Sequence, residues 1–199
     1  MNKMKEVSIN NQVKLSEHLA SPSEAALSHL NELNGVRLSP HFTLRELTKT
    51  QFQTEDGNIP SHVAIENLRR ICEDWLEELR YSYNTLYCLE PGEDYETSKN
   101  VEGIVINHGF RSQQVSKAMS KAGYKPSVTS NHLFGCAVDI RCLGKEQAIR
   151  YAAILLDIAD ATKKDFDELF IEWNARGSIW LHFAVRPQSN RRKIAFMEG

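Results

Sequence analysis

Residues 168–185 read ELFIEWNARGSIWLHFAV, two runs of alternating side chains separated by a polar pentapeptide that contains glycine. The alternation predicts β-strands at 168–173 and 179–185, because successive side chains of a strand point to opposite faces of its sheet. The pentapeptide between them is typical of a hairpin loop. In this interpretation Glu172 and His182 lie on the same face and can be cross-strand neighbours.

The flanking sequence supplies the other elements of the domain. Residues 136–142 alternate in the same way and predict a third strand. Apolar residues at steps of three and four predict helices over 61–81 and 145–162. Trp75 and Trp173 fall on apolar stripes and are assigned to the core. These elements predict an α+β fold with a small, mainly antiparallel sheet flanked by helices.

The N-terminal part of the chain differs from the rest. Residues 1–37 are rich in Ser, Asn and Glu and are assigned to an accessory arm. A Ser-Pro-Ser-Glu start at 21–24, followed by apolar residues up to Leu33, predicts one short helix in this arm. The main domain is predicted at 38–199, with a Thr-Leu-Arg-Glu capping box at 43–46 near its start.

The overall composition excludes several classes of protein. The 199 residues are 41% hydrophobic and carry 24 Lys plus Arg against 26 Asp plus Glu, as expected of a globular chain that buries a core. This balance does not favour nucleic-acid binding, and no apolar run is long enough for membrane insertion. Because the N-terminus lacks the apolar segment of a secretory signal, we expect a cytoplasmic protein as synthesised. The four scattered cysteines predict reduced thiols rather than a zinc knuckle.

A candidate metal site follows from the polar residues near the predicted strands. His132 precedes Asp139 by seven residues, and Gly135 between them allows a sharp turn that brings His132 back over the strand. Together with His182 they provide two imidazoles and one carboxylate. This set suits a catalytic zinc, which takes three protein ligands and keeps a fourth position for water. Judged on spacing alone, isolated polar residues remain the alternative.

Several motifs resemble one family of enzymes. The sequence contains Ser130-x-His132-x-x-Gly135-x-Ala137-x-Asp139 and, downstream, Trp180-x-His182. This pattern resembles the zinc D-alanyl-D-alanine carboxypeptidases and L-alanyl-D-glutamate endopeptidases, which cut peptidoglycan stem peptides. The likeness covers about residues 38–196 and leaves the N-terminal arm unmatched. It includes four further motifs, His41-Phe42-Thr43-Leu44-x-Glu46-Leu47-Thr48, Gly109-Phe110-Arg111-Ser112, Asp165-Phe166-Asp167-Glu168-Leu169 and Asn190-Arg191-Arg192.

The resemblance implies a hedgehog/D,D-peptidase-like fold with a single zinc site on the open face of the sheet. Carried onto this sequence, it makes His132, Asp139 and His182 the Zn²⁺ ligands. It also implies that Arg111 holds the substrate or the developing oxyanion, as a guanidinium fork can do. Ser130 is expected to hydrogen-bond the substrate.

Other site residues are less directly implied. Several relatives carry a Glu three residues before the last ligand histidine, where this chain has Ile179. The best remaining candidate for the catalytic base is Glu172. Its alternative role is a hydrogen bond to a ligand histidine. Trp180 is expected to form a wall of the substrate cleft, and His108 stands where many relatives have a small Ser.

These features predict a zinc metallopeptidase that hydrolyses a bond involving a D-amino acid in peptidoglycan stem peptides, as a D,D-carboxypeptidase or an endopeptidase. The missing signal segment fits an endolysin-like enzyme that is made in the cytoplasm and acts on the cell wall after release. One alternative is a catalytically inactive zinc-containing module that binds cell-wall peptide or a protein partner. A second alternative is a metal-free structural domain.

Overall fold

A computed structural model describes residues 22–198, except for the side chains of residues 30 and 32, and gives an α+β fold with a five-stranded sheet flanked by helices. The helices are α1 (Glu24–Leu33), α2 (Leu44–Leu47), α3 (His62–Ile71), α4 (Glu77–Tyr87), α5 (Gln113–Lys121) and α6 (Lys145–Thr162). The strands are β1 (Ile106–His108), β2 (Ala137–Cys142), β3 (Glu168–Trp173), β4 (Ile179–Ala184) and β5 (Lys193–Glu198).

Helix α1 confirms the short helix predicted in the arm, although it begins later than the predicted Ser-Pro-Ser-Glu start. Ser23 is the cap, and its hydroxyl accepts a hydrogen bond from the Ala26 N–H at 3.2 Å. Leu33, at the end of α1, packs against the main core. The remainder of the arm, residues 1–21, lies outside the described residues.

The sheet has the strand order β1-β2-β4-β3-β5, and only the β3/β5 pair is parallel. The three strands predicted from alternation are therefore adjacent. The hairpin closes with Trp173 opposite Ile179, which places Glu172 opposite Trp180 and His182 opposite Phe170. Glu172 and His182 are therefore diagonal neighbours on one face of the hairpin, as their shared parity allows.

One face of the sheet is covered by helices and forms the core. The predicted helix over 61–81 corresponds to α3 and α4, which a π-helical turn at Cys72–Leu76 joins into one long helical segment. Trp75 in this turn is 1% exposed and packs edge-on against Phe183 of β4, with ring centroids 5.0 Å apart. Its assignment to the core is confirmed.

Trp173 does not belong to the core, since it is 37% exposed. It is the last residue of β3 and pairs with Ile179 and with Glu198 of the edge strand β5. The alternation predicts correctly that Trp173 is on the same face as the buried Leu169 and Ile171. The helices, however, do not fully cover this end of β3.

The cysteines and the apolar content of the helices were also considered in the sequence. All four cysteines are free thiols, and Cys72, Cys136 and Cys142 are buried. No helix within residues 22–198 is long and apolar enough to cross a membrane.

Candidate metal centre

Three potential ligand atoms converge on the open face of the sheet. Asp139 of β2 and His182 of β4 are directly opposite each other, and His132 approaches from the turn before β2. One ligand atom from each residue lies within 4.8 Å of the other two. The Oδ1 atom of Asp139 is 2.9 Å from His182 Nδ1 and 3.3 Å from His132 Nε2. The sequence therefore identified the three residues that the fold brings together.

The turn that carries His132 depends on a glycine, as predicted from the sequence. A 3-10 turn at Asn131–Phe134 ends at Gly135, which has φ 66° and ψ 21°. This left-handed conformation is costly for residues with a Cβ atom. A Cβ at Gly135 would also lie 2.3 Å from the carbonyl oxygen of Ala64 in α3. Glycine at this position thus places the turn against α3 and directs His132 over the sheet.

The second nitrogen of His132 is held by the backbone. His132 Nδ1 lies 2.6 Å from the carbonyl oxygen of Gly109, so it carries the proton and donates, which leaves Nε2 directed toward Asp139. Gly109 itself packs closely on α2, where a Cβ would lie 2.3 Å from the Leu47 carbonyl oxygen. The absence of a side chain at Gly109 therefore lets its carbonyl reach the imidazole.

The other two ligand candidates have comparable outer partners. His182 Nε2 is 3.4 Å from Glu168 Oε2, so Nδ1 is the nitrogen that faces Asp139. The second oxygen of Asp139, Oδ2, is 3.4 Å from Nδ1 of His108. Metal-bound histidines almost always donate their other ring N–H to a carboxylate or a carbonyl, as both histidines do in this site. The remaining atoms form an N₂O donor set that fits zinc with an open fourth position.

The electrostatics of the cluster favour a cation. Burial alone would raise the pKa of Asp139, but the charge and hydrogen bonds of the surrounding histidines hold it well below its usual value. Burial alone would lower the pKa of His182, but hydrogen bonds to Asp139 and Glu168 raise it to about 10. The carboxylate is therefore ionised, as a metal ligand must be. The field that retains a proton on the imidazole also favours a divalent cation between the ligand atoms.

A cavity of about 230 Å³ opens beside His182, and Glu168, Phe170 and Glu172 from β3 contribute to its wall. Hydroxyl groups of Ser127, Thr129 and Ser130 line the same cavity. A larger cavity of about 610 Å³ lies between α1 and residues 44–60. Among the described residues only His132, Asp139 and His182 form a group that could hold a metal ion, so the smaller cavity is the site of interest.

Glu172 and Glu168 have different surroundings. Glu172 accepts a hydrogen bond from Trp180 Nε1 at 2.5 Å, and burial raises its pKa above the usual value. The hydrogen bond to a ligand histidine, considered above for Glu172, is made by Glu168 instead. Glu168 had no predicted site role, although it shares the parity of Glu172 on β3. This shared parity would have placed Glu168 on the same face of the sheet as His182.

Arg111 and Ser130 lie together, as expected of two substrate-binding groups. Arg111 Nη2 donates to Ser130 Oγ at 2.9 Å, while the buried Nε makes no hydrogen bond to the described residues. Burial lowers the pKa of Arg111, whereas the charge of Asp139 raises it. The guanidinium is thus held beside the turn that carries His132, within electrostatic reach of the metal ligands.

Comparisons with known proteins add no assignment. A scan against models of protein families finds no match for this chain, and a search of curated proteins also finds none.

Proposed function

We propose that this chain is a zinc-dependent peptidase that hydrolyses a bond involving a D-amino acid in peptidoglycan stem peptides. It would act as a D,D-carboxypeptidase or an endopeptidase of hedgehog/D,D-peptidase-like fold, at the cell wall after release. The observation that carries the proposal is the convergence of His132 Nε2, Asp139 Oδ1 and His182 Nδ1, with the other atom of each group held by an outer partner. The substrate class comes from the resemblance of the motifs.

The residues around the candidate metal centre have roles that match this reaction. Zinc, when bound, lowers the pKa of a water molecule and polarises the scissile carbonyl. Glu172 accepts a proton from the attacking water and passes it to the leaving amine, a function that its raised pKa favours. Trp180, expected from the sequence to form a wall of the cleft, does not line the cavity of about 230 Å³ but fixes the Glu172 carboxylate through its indole N–H. Arg111, oriented by Ser130, binds the carbonyl oxygen or a terminal carboxylate of the substrate.

The rival interpretation as an inactive binding module rested on Ile179, which stands where several relatives have a Glu. Ile179 pairs with Cys142 and packs against the core on the covered face of the sheet. Because it is three residues from His182 in a regular strand, it points away from the metal centre. A Glu at this position of β4 would not face His182, so Ile179 does not count against catalysis by Glu172.

The test uses the zinc-loaded protein and a synthetic stem pentapeptide ending in D-Ala-D-Ala, with fragments identified by mass spectrometry. The wild type is expected to cleave the peptide. Glu172→Gln is expected to reduce the rate about 10²-fold or more while zinc content stays at a single ion per chain. Glu96→Gln, in an exposed loop, is the matched control and should cleave like the wild type.

Two outcomes would count against the proposal. A Glu172→Gln variant as active as the wild type would remove Glu172 from the mechanism. A zinc-loaded wild type that binds this peptide, or cross-linked cell wall, without cutting it would instead favour the binding module.

A further inference from the structure

Arg186 lies two residues beyond β4, where two cavities adjoin. It lines the cavity beside His182 and also a second cavity of about 510 Å³. Thr129 and Asn131 line both cavities as well. The second cavity also has apolar and partly exposed walls, including Val63 and Phe134. The cleft therefore continues beyond the metal centre, with Arg186 at the junction.

Neighbouring residues orient the guanidinium of Arg186 but leave its terminal N–H donors without hydrogen-bond partners among the described residues. Its Nε donates to Asn131 Oδ1 at 3.0 Å and lies 3.0 Å from Oδ2 of the buried Asp167. The side chain is still 34% exposed, and its two terminal nitrogens make no hydrogen bond to any residue within 22–198. Contacts at Nε fix the plane of the group, so its free edge has a defined direction.

A neighbouring arginine shows the contrast. Arg191 also lines the cavity beside His182, but its donors are used on two carboxylates. Its Nε and Nη2 bond to Asp167 at 2.7 Å each, and Nη2 also bonds to Glu168 at 2.5 Å. Asp167 is thus already neutralised by Arg191. The free donors of Arg186 are available for a ligand.

Consecutive residues of one turn organise the whole arrangement. Ser130 holds Arg111, Asn131 holds Arg186, and His132 is a metal ligand candidate. The site therefore presents two oriented guanidinium groups together with the metal ligands. A guanidinium with free terminal nitrogens can donate two parallel hydrogen bonds to the two oxygens of a carboxylate. It therefore binds a carboxylate more strongly than it binds a neutral group.

We propose that Arg186 binds a second carboxylate of the substrate, carried by the part of the peptide that extends beyond the metal centre, and so selects stem peptides with a free glutamate carboxylate. This inference rests on the proposed function for the substrate class. In a stem peptide linked through the side-chain carboxyl of D-glutamate, the α-carboxylate is free. Amidation replaces one of its acceptor oxygens with an NH₂ donor, which faces the donors of Arg186.

The test compares two synthetic peptides that differ only at this group, L-Ala-γ-D-Glu-L-Lys-D-Ala-D-Ala and the same peptide with D-isoglutamine. Binding is measured by calorimetry on zinc-loaded Glu172→Gln protein, which keeps the peptides intact. The carboxylate peptide is expected to bind about tenfold more tightly than the carboxamide. Adding Arg186→Gln should remove this preference and leave carboxamide binding within about twofold.

The control is Arg192→Gln, which removes an equal charge from a side chain that pairs with Asp160 and Asp165 instead of lining the cleft. This variant should keep the tenfold preference. The zinc content of each variant reports whether the metal centre is intact.

Three results would overturn the assignment of Arg186. They are equal affinity for the two peptides before Arg186 is changed, an unaltered preference in the Arg186→Gln variant, and no binding of either peptide. The first does not depend on how well the variant folds. If the preference is present but protein with Glu172 intact cuts neither peptide, the peptidase proposal fails while the role of Arg186 is supported.

Discussion

Replacing Glu168 by Gln is expected to weaken zinc binding, whereas the same change at Glu172 should not. Both carboxylates are on β3 and face the open side of the sheet, but only Glu168 contacts a ligand candidate, at 3.4 Å from His182 Nε2. In the variant the amide cannot act as a charged acceptor for the imidazole N–H. The ring then loses the group that fixes its orientation and raises the basicity of Nδ1.

The size of the effect follows from these contacts. Removing an outer carboxylate from a metal-bound histidine typically costs 10- to 100-fold in metal affinity. Because the distance of 3.4 Å is at the long end for a hydrogen bond, we expect the lower limit, about tenfold or about 1.4 kcal/mol. The Glu168 carboxylate also accepts hydrogen bonds from Asn131 and Arg191, and the variant leaves one of these donors facing an NH₂ group.

The assay is competition for zinc between the protein and a chelator of known affinity, with Glu172→Gln as the matched control. The expected outcome is a tenfold weaker zinc affinity for Glu168→Gln and a change below about twofold for Glu172→Gln. Unchanged affinity in Glu168→Gln, or a larger loss in Glu172→Gln, would refute the assignment of Glu168 as the partner of His182.

Three further predictions concern stability and pH. Gly135→Ala should lower the free energy of unfolding by about 2 kcal/mol or more in urea titrations, because φ is 66° and the Cβ would meet the Ala64 backbone. The control Gly103→Ala, where the Cβ meets nothing, should change it by no more than about 0.5 kcal/mol. Trp75→Ala should cost about 3–5 kcal/mol and Trp173→Ala less than half as much, because Trp75 is 1% and Trp173 37% exposed; equal losses in thermal unfolding would contradict this. Cleavage should fall as pH decreases through the pKa of Glu172, which burial raises, because the base acts when ionised; a pH–rate profile with its acid limb unmoved in Glu172→Asp would exclude this origin.

Local patterns in the sequence were sufficient for much of the fold. Period-two alternation identified β2, β3 and β4, and the capping box at Thr43 is present, with the hydroxyl accepting from the Glu46 N–H at 3.3 Å. The turn at Gly135 was predictable because it needs a residue without a Cβ. Each of these features depends on neighbours close in the chain.

Features set by distant parts of the chain were not predictable in this way. Strand β5 pairs in parallel with β3, a contact between segments that the chain joins only through β4 and a connecting loop. The hairpin register and the exposure of Trp173 depend on the loop conformation and on which elements cover the sheet. The role of Glu168 follows from that register, since it places Glu168 and Glu172 diagonally on either side of His182.

The most direct test of the metal centre is a crystal structure of the zinc-loaded protein with anomalous diffraction data at the zinc edge. The prediction is a single zinc peak bonded to His132 Nε2, Asp139 Oδ1 and His182 Nδ1, at about 2.0–2.2 Å from each. A zinc ion held by other residues, or no zinc between these three atoms after incubation with excess metal, would contradict the account.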